Sequence, residues 1–101
     1  MIYIDSDTVF LWHGMKDSLT GAYIEDATVT GSLQDLDGTE LQSFSFDFIE
    51  GSNGDYEGTI TAAMTSGLNP CREYLVAITA TRSGQTVTKR ERHSTNYLGY
   101  K

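Results

Sequence analysis

The chain has 101 residues, a formal net charge of −7 and an aromatic set of six Tyr, four Phe and one Trp. That length fits a single domain, 1–101, large enough to bury a core without disulfides or a structural metal, and the aromatic content is that of a core-forming chain rather than a disordered acidic one. The acidic balance disfavours nucleic-acid binding, which needs clustered Lys and Arg, and no stretch approaches the roughly 20 apolar residues of a membrane span.

The first residues, Met1-Ile2-Tyr3-Ile4-Asp5-Ser6-Asp7, carry neither the basic leader nor the apolar run of a secretory signal. Cys71 is the one cysteine, so no internal disulfide forms, and such a thiol belongs in a reducing compartment. The expectation is a soluble chain made in the cytoplasm. Its charge is asymmetric: residues 1–57 hold twelve of the fourteen acids and one base, Lys16, whereas 58–101 hold six of the seven bases against Glu73 and Glu91. Faces of opposite sign would favour head-to-tail contacts between copies if the fold keeps the halves apart; interleaved strands would mix them.

Period-two alternation between glycine-bearing turns, with no sustained 3.6-residue period, predicts strands throughout. Thr8-Val9-Phe10-Leu11-Trp12 is apolar after its Thr and reads as a first strand covered on both faces. Ala22-Tyr23-Ile24 suggests a short edge piece. Ala27 to Leu33 then alternates Ala27, Val29, Gly31 and Leu33 against Thr28, Thr30 and Ser32, giving one dry face and one wet. Asp37-Gly38 predicts a two-residue hairpin of type I′, from which Leu41 to Ile49 returns antiparallel. Phe44, Phe46 and Phe48 share the inner face of that strand, and Ser43, Ser45 and Asp47 the outer.

Gly51-Ser52-Asn53-Gly54-Asp55 is a loop by composition, followed by a strand with Tyr56, Gly58, Ile60 and Ala62 inward, and by a crossover over Ala63 to Gly67. From Leu68, Pro70 blocks pairing and Tyr74, Val76, Ile78 and Ala80 line one face of the next strand. This passage resembles fibronectin type III domains, which here read Leu, two on Pro, four further on Tyr, then alternate apolar residues. The resemblance implies that Tyr74 is a tyrosine corner, its hydroxyl tied to the preceding crossover. Ser83-Gly84 turns the chain into Gln85 to Arg92, an exposed strand whose one aliphatic residue is Val87. The fold expected is therefore all-β, an antiparallel β-sandwich of about seven strands, immunoglobulin- or fibronectin III-like.

No chemistry assembles from the sequence. His13 and His93 stand in no nucleophile motif, Cys71 follows Pro70 in a crossover, and no zinc spacing, phosphate loop or dinucleotide fingerprint is present. Asp35-Leu36-Asp37-Gly38 fails as an EF-hand, because the glycine is misplaced and Phe46 stands where the bidentate Glu belongs. Asp5, Asp7, Asp26, Asp35 and Asp55 are the loop carboxylates from which a sandwich could gather calcium. The expectation is a non-enzyme with no catalytic, metal or cofactor residues.

Two surface features remain. Lys89-Arg90-Glu91-Arg92-His93 is the one basic cluster, with Lys89 and Glu91 on one face and Arg90 and Arg92 on the other; it is either a guarded edge strand or a docking surface for an acidic partner. Ser94 to Lys101 places Tyr97, Leu98 and Tyr100 at a terminus, where polar residues are the norm. That segment either folds back as a last strand or docks on another protein, and in the second case deleting it leaves the fold intact and abolishes assembly. Tyr97, Leu98, Tyr100, Arg90 and Arg92 are accordingly the candidate partner-binding residues.

Four passages, Leu19 to Tyr23, Ala27 to Thr30, Gly51 to Ile60 and Tyr74 to Thr81, make the chain similar to small immunoglobulin-like proteins from the structural gene clusters of tailed bacteriophages and prophages. What that resemblance implies is a virion or assembly component of the head, connector or tail region, made in host cytoplasm and carried into the virion. Its partners would be other virion proteins or copies of itself. The alternative is a carbohydrate- or calcium-binding module of a larger surface protein, using exposed aromatics and loop carboxylates.

Overall fold

The structure, a computed structural model, describes residues 1–17 and 19–97. Among them are seven strands, β1 (Ile2–Ile4), β2 (Thr8–Trp12), β3 (Thr28–Gln34), β4 (Glu40–Phe48), β5 (Tyr56–Ile60), β6 (Glu73–Arg82) and β7 (Gln85–Tyr97), and one short helix, α1 (Ala62–Thr65). The all-β expectation holds. All seven strands belong to one sheet in the order β1-β7-β6-β3-β4-β5-β2, curled until nearly closed like a barrel.

The sheet is mixed, not purely antiparallel as expected, because β1 runs parallel to β7 over Ile2↔Thr95 to Ile4↔Tyr97. The cause lies in the link between the first two strands. β1 pairs at one edge of the sheet and β2, in register Thr8↔Ile60 to Trp12↔Tyr56, at the other. From Ile4 to Thr8 the chain spans at most roughly 14 Å, so the two edges meet there and one nearly continuous segment serves both. Asp5, at φ 60°, makes the kink. Its N–H donates to Thr65 Oγ1 at 2.9 Å, and the Asp7 carboxylate accepts the Ala62 N–H at 2.7 Å, so α1 holds the link in place.

Alternation fills the barrel. Ile2, Ile4, Phe10, Val29, Leu33, Phe44, Phe46, Tyr56, Ile60, Tyr74, Val76 and Ile78 are all buried, and Phe48 packs half-buried at their edge. Two glycines make room for rings. Gly31 pairs with Phe44 and Gly58 with Phe46, and each ring lies over the glycine opposite it. A Cβ on Gly58 would stand 2.7 Å from Phe46 Cδ1. Gly58→Ala is therefore expected to overpack the core by about 1–3 kcal/mol, measured by denaturant melts, although alanine is the better strand residue on backbone grounds.

Several local expectations need correction. β2 is an edge strand with one covered face, so Val9 (61% exposed) and Leu11 (48%) point outward. Ala22-Tyr23-Ile24 forms no strand, only an isolated bridge between Tyr23 and Lys16. Ala62 starts α1 instead of ending a strand. Asp37-Gly38 is not a two-residue hairpin, because the Asp37 carboxylate accepts the Thr39 N–H at 2.9 Å and widens the loop to Asp35–Thr39, with a bulge at Leu33/Gln34. Ser83-Gly84 does make the two-residue turn, with φ of 52° and 78° between paired Arg82 and Gln85.

The last strand runs further than its polar sequence suggests. Ser94 to Tyr97 belong to β7, and Thr95 is buried, its hydroxyl donating toward the carbonyls of Asn69 and Arg72. This part of the terminus is a strand of the sheet and not a detachable tail. Leu98 and Tyr100 lie outside the described residues.

Two buried tyrosines tie loops to the core. Tyr74 Oη accepts the Asn69 N–H at 3.0 Å across the crossover, as the corner requires. Tyr56 Oη donates to the Ile24 carbonyl at 2.8 Å and accepts the Ala27 N–H at 3.2 Å. Tyr74→Phe keeps the ring and orphans one amide, so a loss on the order of 1 kcal/mol is expected in thermal melts. Tyr56→Phe, which orphans two groups, is expected to cost more.

Candidate functional site

The groups with catalytic potential stand apart. His13, in the loop after β2, places Nδ1 2.9 Å from Asp55 Oδ1, and that carboxylate also accepts the Gly14 N–H. His93, on β7, sits 3.3 Å from Glu91 and edge-on to Phe10, with ring centres 5.1 Å apart. Cys71, exposed at φ 57°, donates its backbone N–H to the Thr95 carbonyl. No nucleophile lies in hydrogen-bond contact with either imidazole among the described residues.

The candidate calcium ligands are also dispersed. Asp7 serves α1, Asp26 is 2.7 Å from Arg82 Nε, Asp35 is 3.3 Å from Arg72, and Asp55 holds His13. Among the described residues, no three His, Cys, Asp or Glu side chains gather in a way that could hold a metal ion.

What the fold does assemble is an open seam. Among the described residues, β2 bonds only to β5, β1 covers β7 only over Thr95–Tyr97, and no ladder joins β2 to β7. Side chains bridge part of the gap: Phe10 meets His93, and Lys89 Nζ lies 5.4 Å from the Trp12 ring centre. At the hairpin end the seam widens into a cleft of about 630 Å³, with Trp12, Met15, Ile24, Ala27, Ala80 and Val87 as its apolar lining.

Residues 14–17 of the loop after β2, together with Ile24 and Ala27, form one wall of that cleft. The loop backbone is pinned by Met15 N–H to the Gly54 carbonyl and by Ile24 N–H to the Met15 carbonyl, both 2.8 Å. Arg82, at the end of β6, reaches across to Asp26 and, at 3.4 Å, to Asp17. The hydrogen bond and charge of Asp26 raise the Arg82 pKa. Asp17 is held below the ordinary aspartate value, first by the N–H groups of Leu19 and Thr20 and less by Arg82.

A folded-state pKa that is depressed stabilises at neutral pH, and the contribution is lost as pH falls through the folded value. NMR titration of Arg82→Ala is therefore expected to leave Asp17 still depressed, because its main donors are backbone groups. A return to the ordinary value would make Arg82 the dominant partner.

The rest of the seam is the bare edge of β7 over Gln85–Arg92. Because Arg82 and Gln85 close a two-residue hairpin, they form a hydrogen-bonded pair, and odd-numbered residues from 85 on turn their N–H and C=O toward β6. The Thr95 N–H, donated to Arg72 at 2.9 Å, fits that parity. Thr86, Thr88, Arg90 and Arg92 therefore present their backbone groups outward, where no strand among the described residues pairs with them.

Their side chains line the outer face of the sheet, with Thr88 3.1 Å from Thr79 and Arg92 3.3 Å from Glu73. Arg90 has no ion pair among the described residues. On the inner face Glu91 is 3.5 Å from Lys89 and 3.3 Å from His93.

Arg90 and Arg92 thus stand together as expected. Tyr97, 42% exposed, lies five residues along β7 with opposite parity, so it shares neither their face nor their end of the strand. The sequence reading missed the seam itself, because it depends on β1 and β2 reaching opposite edges of the sheet. Exposed Val9, Leu11 and Val87 on flanking strands were the available signal. No protein-family model, curated protein or solved structure matches this chain.

Proposed function

We propose that the chain is a non-catalytic structural or assembly protein of a tailed phage or prophage, from the head, connector or tail region, acting through protein–protein contacts. The observation that carries this reading is the open edge of β7, an exposed row of backbone donors and acceptors beside Arg90 and an apolar cleft. An unpaired edge is a template for another chain, and charges along it restrict which chain fits. On this reading the protein is made in host cytoplasm and travels with the particle.

An immunoglobulin- or fibronectin III-like ancestry belongs to the same proposal. The Tyr74 corner supports it, as do the β2–β5 and β3–β6–β7 ladders, which follow the B–E and C–F–G pairings of that fold. The two sheets of such a sandwich would here be joined through β4, which pairs with both β3 and β5.

Deleting the gene from an inducible phage is the test. The expected result is particles arrested before completion, with the chain present in wild-type virions; normal titres and virions free of the chain would refute the reading. The carbohydrate or calcium alternative is less favoured, because the Trp12 and Tyr23 rings carry Lys89 and Lys16 ammonium groups and the carboxylates are spread. An unchanged melting temperature in excess calcium is the expected outcome.

A further inference from the structure

We infer that the Gln85–Arg92 edge of β7 takes up an extended acidic segment of a partner protein as an additional strand at the seam. The inference rests on the protein-contact reading above and names the chemistry of the contact.

The geometry specifies the occupant. Strand addition gains affinity from main-chain bonds and specificity from alternate side chains. The outward amides and carbonyls of Thr86, Thr88, Arg90 and Arg92 supply the main-chain partners. An incoming strand would alternate accordingly. Residues on its outer face would lie beside Arg90 and Arg92, which calls for Asp or Glu. Those on its inner face would lie beside Val87 and over the Trp12 end of the cleft, which calls for apolar side chains. Arg90 forms no ion pair among the described residues, whereas Arg92 is paired with Glu73, and Val87 is 57% exposed.

Charge decides between partners. Over Gln85–Arg92 the edge carries Lys89, Arg90 and Arg92 against Glu91, while the whole chain carries −7. A second copy offering its own β7 would bring like charge to like, and two chains of −7 repel at long range. An acidic segment of another protein meets neither cost. Lys89 and Glu91 point inward on this edge, a device that discourages indiscriminate pairing and leaves a selective site.

The probe is a capped ten-residue peptide alternating valine and glutamate, with a valine–lysine peptide and an alternately N-methylated valine–glutamate peptide as controls. Amide exchange is followed by NMR on the full chain. With peptide at ten times its Kd, exchange at Thr86, Thr88, Arg90 and Arg92 is expected to slow about tenfold. The lysine and N-methyl peptides should give no protection, and binding should weaken as salt rises.

Thr88→Pro removes one outward donor and no backbone bond to β6, losing there only the exposed hydroxyl contact with Thr79, so it should fold and lose the protection. If that variant does not fold, the N-methylated peptide still decides the case. Equal binding of the N-methylated peptide would overturn strand addition in favour of simple charge attraction. No protection at about 1 mM valine–glutamate peptide, the weak end of specific recognition, would overturn it as well. Either failure leaves the deletion phenotype untouched, whereas a gene dispensable for particles would remove the assembly role and leave the peptide result standing.

Discussion

Phe46→Ala is expected to destabilise the domain by about 3–5 kcal/mol, a large share of the roughly 5–15 kcal/mol that a domain of this kind has to lose. Phe46 is 6% exposed, its ring centre lies 5.4 Å from that of Phe44, and it covers Gly58 on the adjacent strand. Truncation to alanine leaves a void bounded on one side by a residue with no side chain. The site therefore has little with which to refill itself, and the cost should fall toward the upper end of that range. Phe44→Ala, which uncovers Gly31 and loses contact with Phe10, is expected to behave alike. Ser43→Ala and Ser45→Ala, on the exposed face of β4, should stay within about 0.5 kcal/mol. Urea melts on the four variants decide the matter. Equal tolerance at all four positions would mean that the rings do not line the core.

That contrast was legible in the sequence because a strand sorts its residues by parity alone. Phe44 and Phe46 declare the inner face, and Gly31 and Gly58 fall on inner positions of their own strands by the same count. The β6–β7 hairpin was legible for a related reason: Ser83-Gly84 satisfies the positive φ of its turn with nothing from the rest of the molecule. Asp37-Gly38 offered the same signal and misled. There the decisive event is a side-chain bond from Asp37 to the Thr39 amide, which competes with the tight turn.

Closure of the sheet was the least legible feature, because it depends on Ile2–Ile4, a three-residue strand too short to show alternation. β6 and the turn before it hold β7 as far as Thr95, but without β1 nothing described covers the other edge of Thr95–Tyr97, and the seam between β2 and β7 does not exist as an object. The candidate site divides in the same way. The parity of Arg90 and Arg92 came from local sequence, while the cleft joins Trp12 to Val87 across the whole chain. Tyr56 belongs with the cleft. Its inward position followed from alternation, but its bonds to Ile24 and Ala27 depend on where the 13–27 loop comes to rest.

Ending the chain after His93 is expected to unfold the domain, or to lower its melting temperature so far that little native protein remains at 37 °C. The sequence alone left two alternatives open, a last strand or a detachable tail whose loss would spare the fold. Three consequences of the truncation argue for collapse. β1 loses the one described strand it pairs with, which releases Ile2 and Ile4, both almost wholly buried, from the core. Loss of one such aliphatic side chain costs about 2–5 kcal/mol, so two approach the whole stability of a small domain. The Cys71 N–H and the Arg72 carbonyl lose the Thr95 backbone groups that hold the start of β6. The Thr95 hydroxyl disappears from beneath the same turn, where it donates to Arg72 O at 2.9 Å.

Thr95→Val separates the last effect from the first two, since it keeps the shape and removes the hydroxyl. It should cost about 1–3 kcal/mol, and for a domain of this size each kilocalorie lowers the melting temperature by roughly 4–8 °C. A chain shortened only to Tyr97 keeps every described contact of β7 and should melt with the full-length protein, or differ by what residues 98–101 contribute alone. Circular dichroism melts and light scattering on the three variants order these effects. If the chain ending at His93 melted with the full-length protein, the parallel pairing of β1 with β7 would carry no stability, and the first strand would be free to leave the edge that it covers.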